Sequence, residues 1–336
     1  MKIKMPLVIC AGLLVLLMGV AFGSVWVAPE DIFGIVSHKM FGTPLAARVS
    51  ASSVAIVWNL RLPRALLAFT VGAALSVSGA VMQSVLRNPL ASSYTLGVSS
   101  GASLGAGIII LYGISVPLLG IMALPLTGFV FGLGTILLAI SFASRLDSRM
   151  ENNTIILTGM VFSLFVNAIT TLLSALSREH MQRLIYWQMG SFSMRDWPAV
   201  LILAPIAVAG TLFVLHFNRE LDMMTFGEEQ ATTMGVDLKR VKWTLLVTAA
   251  ALTGSAIAFV GVIGFVDLVA PHIVRRLFGS SHRRVVPMSA VMGGAFMVAC
   301  DLVARTAISP GELPVGAVTA IIGAPFFAYV YLGRRK

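Results

Sequence analysis

Ten apolar stretches dominate the sequence, at about 5–28, 62–86, 94–113, 117–144, 154–176, 197–216, 243–262, 264–278, 286–305 and 314–332. A helix crossing the ~30 Å hydrocarbon core of a bilayer needs about 20 apolar residues, and most of these stretches have that length. In lipid no water is available to the backbone, so each stretch must close its hydrogen bonds internally as a helix. The expectation is an all-α polytopic membrane protein with about ten transmembrane helices, one domain over residues 1–336.

Composition removes the alternatives. Charged residues make up 11% of the 336 and hydrophobic ones 57%, against about 25% charged in soluble domains. The mean hydropathy is +0.92. A chain with so little charge cannot cover a soluble surface, which excludes a soluble enzyme, a nucleic-acid reader and a disordered scaffold. The net charge of +10 then reads as orientation, because Lys and Arg collect in cytoplasmic loops. Ten spans put both termini on one side, with 16 Lys and Arg there and 8 on the other. The richer side, with both termini, is expected to be cytoplasmic.

Local details fit this frame. The first stretch follows Lys2 and Lys4. It exceeds the 7–15 apolar residues of a secretory signal and lacks a small-x-small cleavage site, so it reads as a span. Cys10 and Cys300 sit in apolar runs and offer neither a disulfide framework nor a metal set. Gly97, Gly101 and Gly105 recur every four residues and are expected to let helices pack closely. The stretch at 264–278 is the shortest and contains Asp267, Pro271 and His272.

The missing chemistry is informative. No Gly-Lys pair occurs, so there is no phosphate-binding P-loop, and there is no HExxH metal motif. Ionisable residues inside spans are few, namely Asp267, His272 and Asp301, whereas a proton-coupled carrier places acids near the midplane. The energy is expected to come from another chain. The linker 217–242, on the cytoplasmic side, is the candidate contact. Glu228 and Glu229 fall where the first turn of a short helix favours acids, and Gly235 permits the sharp turn that ends it. Two short helices joined by a glycine make a knob suited to a partner's groove; a solvated loop is the plainer alternative. Pro29-Glu30-Asp31 reads as the start of another short helix, and Met181 to Gly190 as an amphipathic one.

These residues carry a resemblance. Glu229-x-Ala231-x-x-x-Gly235 resembles the coupling loop of ABC importer permeases. Leu60 to Arg64, Gly72 to Leu75, Ser78 to Gln83, Arg87 to Ala91, Leu96 to Ala102, Gly261 to Phe265, Pro271-His272, Asp301 to Arg305, Glu312 to Gly316 and Gly323 to Phe327 are together similar to the FecCD family. These are permeases for ferric siderophores, haem and cobalamin. The resemblance covers nearly the whole chain.

It implies a multi-pass permease in a bacterial cytoplasmic (inner) membrane, pairing with a second permease copy as a homodimer or with a different partner permease. It also implies two ATPase subunits that use ATP and Mg, and an extracytoplasmic binding protein. No cofactor, metal or nucleic acid is implied for this chain. The ATPase subunits would grip Gly227, Glu228, Glu229, Ala231 and Gly235. Arg61, Arg64 and Arg305 would receive carboxylates of the docked binding protein, although an arginine at an interface can also simply snorkel. Asn88 and Leu90 would form one cytoplasmic gate segment and Asn153 and Thr154 another; a plain Asn88-Pro89 turn and helix capping are the alternatives. The helix from Met181 would lie across the mouth of a pathway at the dimer interface, lined by small and apolar side chains. The cargo suggested is an iron–siderophore complex, with haem or cobalamin as alternatives. An ion-coupled secondary transporter is the rival class. One residue departs from the family pattern: Asp267 stands where a glycine is usual.

Overall fold

The computed structural model describes residues 4–23, 26–114, 119–177 and 180–332. Lys2, Arg178, Arg334, Arg335 and Lys336 of the charge count lie outside the described residues. Among the described residues the regular structure is entirely helical. The chain opens with α1 (Lys4–Ala21), α2 (Pro29–Phe41) and α3 (Ala51–Ala55), which runs through a π-helical turn (Ile56–Arg61) into α4 (Leu62–Val85). Then come α5 (Val98–Tyr112), α6 (Ala123–Leu146), α7 (Asn152–Leu176), α8 (Met181–Gln188) and α9 (Trp197–His216). The remainder is α10 (Asn218–Met224), α11 (Glu228–Thr233), α12 (Leu238–Val260), α13 (Val266–Phe278), α14 (His282–Thr306) and α15 (Val315–Leu332).

Each of the ten apolar stretches becomes a helix. Among the described residues seven are long and apolar enough to cross a membrane, while α5 and α15 are shorter. Helix α13 has 13 residues, about 20 Å at 1.5 Å per residue, so the stretch at 264–278 does not span by itself. The residues before it, 261–265, are not helical. Such backbone is tolerated at membrane depth only where protein supplies hydrogen bonds. Here Tyr94 donates its hydroxyl hydrogen to the Ile263 carbonyl, and Ser191 N–H bonds the Val260 carbonyl at 2.8 Å.

Helix α4 is the axis of the bundle, buried along nearly its whole length between α14, α12, α13 and α9. Its small residues make that possible. A Cβ at Gly79 would overlap the main-chain oxygen of Asp267, so α13 rests directly on the α4 backbone. Gly101 and Gly105 do the same for α5 against Phe131 and Thr127 of α6, which is the packing role their spacing predicts.

The bundle has two dissimilar ends. The loop end carries residues 86–91, 147–151, 217–237 and 279–281. The arginine end carries 42–50 and 307–314. At the arginine end α2 starts at Pro29 with Glu30 and Asp31 in its first turn, as the sequence suggests, and stops at Gly42 with φ 70°. Its Ile32 and Ile35 close a small core with Val20, Val57 and Ala65.

Candidate coupling, gate and docking sites

At the loop end the helix expected from Glu228 forms as α11, but the element after Gly235 is the start of the long α12 rather than a second short helix; the short neighbour of α11 is α10, before Gly227, and these two make a knob. Gly227 precedes α11 with φ 134°, which disfavours any side chain, and Gly235 turns the chain with φ 91°. Asp237 then caps α12 by accepting the Arg240 N–H at 3.1 Å. Ala231 is fully buried against the α10–α11 packing, whereas Glu229 is exposed. Beside it two large apolar side chains face outward, Phe226 at 71% exposure and Met234 at 50%. A cleft of about 720 Å³ separates the knob from the α6–α7 turn, bordered by Arg149, Glu151, Glu229, Thr233 and Lys239.

Glu228 does not point outward as a coupling residue should. Its Oε1 lies 2.8 Å from Nζ of Lys242, which has no exposed surface at all. That ammonium also donates to the Met150 carbonyl at 2.8 Å and to Asn152 Oδ1 at 2.9 Å. All three of its hydrogens are thereby used. A buried charge survives only when paired and hydrogen-bonded, and this one fastens the knob to the start of α7. Lys242 was legible only as a basic residue of the loop; the signal of something more was its place at the edge of an apolar run. Just outside the spans, Asp147 accepts backbone N–H groups of Glu151 and Arg149, and these bonds hold its carboxyl below the usual range.

The two gate segments have different surroundings. Asn88 makes a tight turn: its Oδ1 accepts the Leu90 N–H at 2.9 Å, and its own N–H bonds the Gln83 carbonyl at 3.1 Å. Leu90 is exposed at the tip. Asn153 and Thr154 border a cavity of about 410 Å³ with Phe142, Leu146, Leu157 and Val161. Side-chain capping of α7 is not what they do: the cap position is Glu151, and no side-chain bond is made there.

Helix α8 forms as expected. It closes over a cavity of about 320 Å³ lined by Asn167, Thr170, Thr171 and Ser174 of α7. Met181, Leu184 and Ile185 of α8 also line it.

At the arginine end the three arginines come together, but their guanidinium groups turn inward. Arg61, 6% exposed, donates to the last carbonyls of α1, Val20 at 3.3 Å and Ala21 at 3.0 Å, where the helix dipole favours a cation. Arg64 grips Asp301 at 2.8 Å and Glu312 at 2.8 Å. Arg305 donates to the Gly19 carbonyl and stands 3.6 Å from Asp301. The bidentate fork expected for a partner is thus filled from within, tying α1, α4, α14 and the 307–314 loop together.

Asp267, the departure from the family pattern, is 2% exposed. Its carboxylate accepts the Ser92 hydroxyl, and its main-chain oxygen accepts Gln83 Nε2 at 3.1 Å. Being in the first turn of α13, it sits where free N–H groups favour an acid.

Comparison with known proteins agrees with this architecture. The ABC transporter permease protein YvrB of Bacillus subtilis is 39% identical over 96% of this chain and 91% of its own length. The cobalamin import system permease of Halobacterium salinarum is 39% identical over 88% of this chain and 78% of its own. Further relatives are named for import of Fe(3+) dicitrate in Escherichia coli, hemin in Yersinia pestis and molybdate in Haemophilus influenzae. A solved inward-facing transporter of the metal-chelate ABC type superposes with a TM-score of 0.83 at 28% identity, covering 96% of this chain and 97% of that one. The FecCD transport family model matches residues 10–333. With the helical bundle, the knob and this match in agreement, the chain belongs to the FecCD transport family and is a permease of an ABC importer, a transport component without catalytic activity of its own.

Proposed function

We propose that this permease moves an iron–siderophore chelate from an extracytoplasmic binding protein into the cytoplasm, as one half of a homodimer driven by two ATPase subunits. The observation that carries this reading is the knob at residues 217–242. Its frame is buried and fastened by Lys242, while Phe226, Met234 and Glu229 are presented outward. Exposed apolar groups on a buried, fastened frame suit a fixed partner. The loop end then faces the cytoplasm of the inner membrane, with both termini on that side.

The pathway runs along α7. Asn167, Thr171 and Ser174 fall at i, i+4 and i+7 of the outer half of this helix. Polar groups on a span favour a partner or a water-filled cavity over lipid. Asn88 and Leu90 with Asn153 and Thr154 close the cytoplasmic side. The binding protein docks at the arginine end. Arg61, Arg64 and Arg305 stand together there with Asp301 and Glu312, and acids of the docking protein compete for their guanidinium groups. Glu312, partly exposed on Arg64, is the internal carboxylate that competes with them.

The test is uptake into proteoliposomes containing the permease, its ATPase and its binding protein, with ATP inside. ATP-dependent accumulation of radio-iron siderophore supports the proposal. Accumulation of haem or cobalamin instead supports the second reading, which the names of the relatives favour equally. Accumulation that persists without the ATPase contradicts both and favours a secondary transporter.

A further inference from the structure

We propose that His282 is a positioning residue that links the ATPase-docking knob to the cytoplasmic gate turn. The inference rests on the importer reading above and concerns how the same site transmits motion.

His282 opens α14 and is 1% exposed. Both ring nitrogens are engaged. Nδ1 lies 2.6 Å from Asp222 Oδ1, on α10 of the knob. Nε2 lies 2.6 Å from Ser84 Oγ, in the last turn of α4. An ionised carboxylate only accepts, so Nδ1 donates; the single Ser84 hydroxyl hydrogen is shared between Nε2 and the Ala80 carbonyl, 2.8 Å away. Asp222 also receives the His282 backbone N–H at 2.8 Å and the Ser281 hydroxyl at 3.2 Å. It therefore caps α14 from outside, since Ser281 makes no side-chain cap of its own.

The bonds continue past Ser84. Arg275 of α13 donates to Ser84 Oγ at 3.0 Å and to the Ala80 carbonyl at 3.0 Å, and also reaches Gln83 Oε1. The Gln83 carbonyl receives the Asn88 N–H, while its side chain holds the Asp267 oxygen. Asp267 in turn holds Ser92, on the far side of the turn. One hydrogen-bonded series thus leads from α10 to both flanks of residues 88–90. A displacement of the knob by an ATPase changes the Asp222–His282 contact first, and the ring passes it to the end of α4.

The experiment uses the complete complex in proteoliposomes and measures chelate taken up per ATP hydrolysed. His282→Ala and Ser84→Ala are each expected to lower that ratio by about tenfold, within the range of ordinary coupling energies, while ATP hydrolysis by the assembled complex persists. The double variant is expected to match His282→Ala, because both substitutions break one route. Uptake and hydrolysis falling together, an unchanged ratio, or an additive double variant overturns the proposal. Ser84→Ala removes a single hydroxyl and decides the matter if His282→Ala does not assemble. A wild-type complex that accumulates no chelate overturns the transport reading itself; a working wild type with unaffected variants overturns only this inference.

Discussion

At the residue scale the buried charges Arg61, Lys242, Asp267 and Asp301 each have partners. Lys242 shows the consequence most directly. Replacing it with alanine leaves the Met150 carbonyl, Asn152 and Glu228 without their common donor. Removing one member of a buried pair costs about 3–5 kcal/mol, and the partial exposure of Glu228 puts Lys242→Ala at the lower end. Thermal unfolding in detergent should show that loss, with Glu228→Gln milder. Asp147 gives a pH signature. Its carboxylate is favoured in the fold by two backbone N–H groups, so its folded value lies below the ordinary 3.8. Its contribution is therefore complete above that ordinary value and is lost as pH falls through the depressed folded one. Amide exchange at Arg149 and Glu151 should be faster in Asp147→Asn than in wild type near neutrality. The difference should vanish in strong acid; a difference independent of pH contradicts the assignment.

At the element scale, the broken passage from α12 to α13 is the most consequential feature. Residues 261–265 give up helical bonds inside the bundle, and Tyr94 replaces one of them. Tyr94→Phe leaves the Ile263 carbonyl unsatisfied, at about 1–3 kcal/mol for a buried polar group; the check is the unfolding midpoint in detergent. Gly79→Ala should be worse than a usual small-to-large change of about 1–3 kcal/mol, because its Cβ meets backbone rather than a movable side chain. A normally folded, fully stable Gly79→Ala protein would contradict the contact. The spanning helices were legible from apolar length and α11 of the knob from the two glutamates and Gly235, whereas α10 was not. The break was only hinted at by the shortness of 264–278. Pairings were not legible: Arg64 meets Asp301 across 237 residues and Glu312 across 248. Such contacts depend on how helices are stacked, which apolar periodicity does not encode. For the same reason the arginines read as open forks and Glu228 as an outward acid.

At the scale of the whole molecule, the proposed function divides the work of an importer between the two ends of the bundle. The arginine end is a cross-braced rim, and the loop end is a fastened knob beside the Asn88–Leu90 turn. An exposed face of α7 with Leu157, Val161, Leu164, Phe165 and Leu172 remains for lipid or for a second copy. The central claim is that an ATPase subunit drives this chain through the knob. The measurement that tests it most directly is the amount of ATPase co-purifying with the permease when Phe226 and Met234 are both replaced by aspartate. These side chains are exposed, so the permease itself should fold and unfold as wild type does. The account predicts loss of the bound ATPase from an otherwise intact protein. ATPase retained at the wild-type ratio would contradict it.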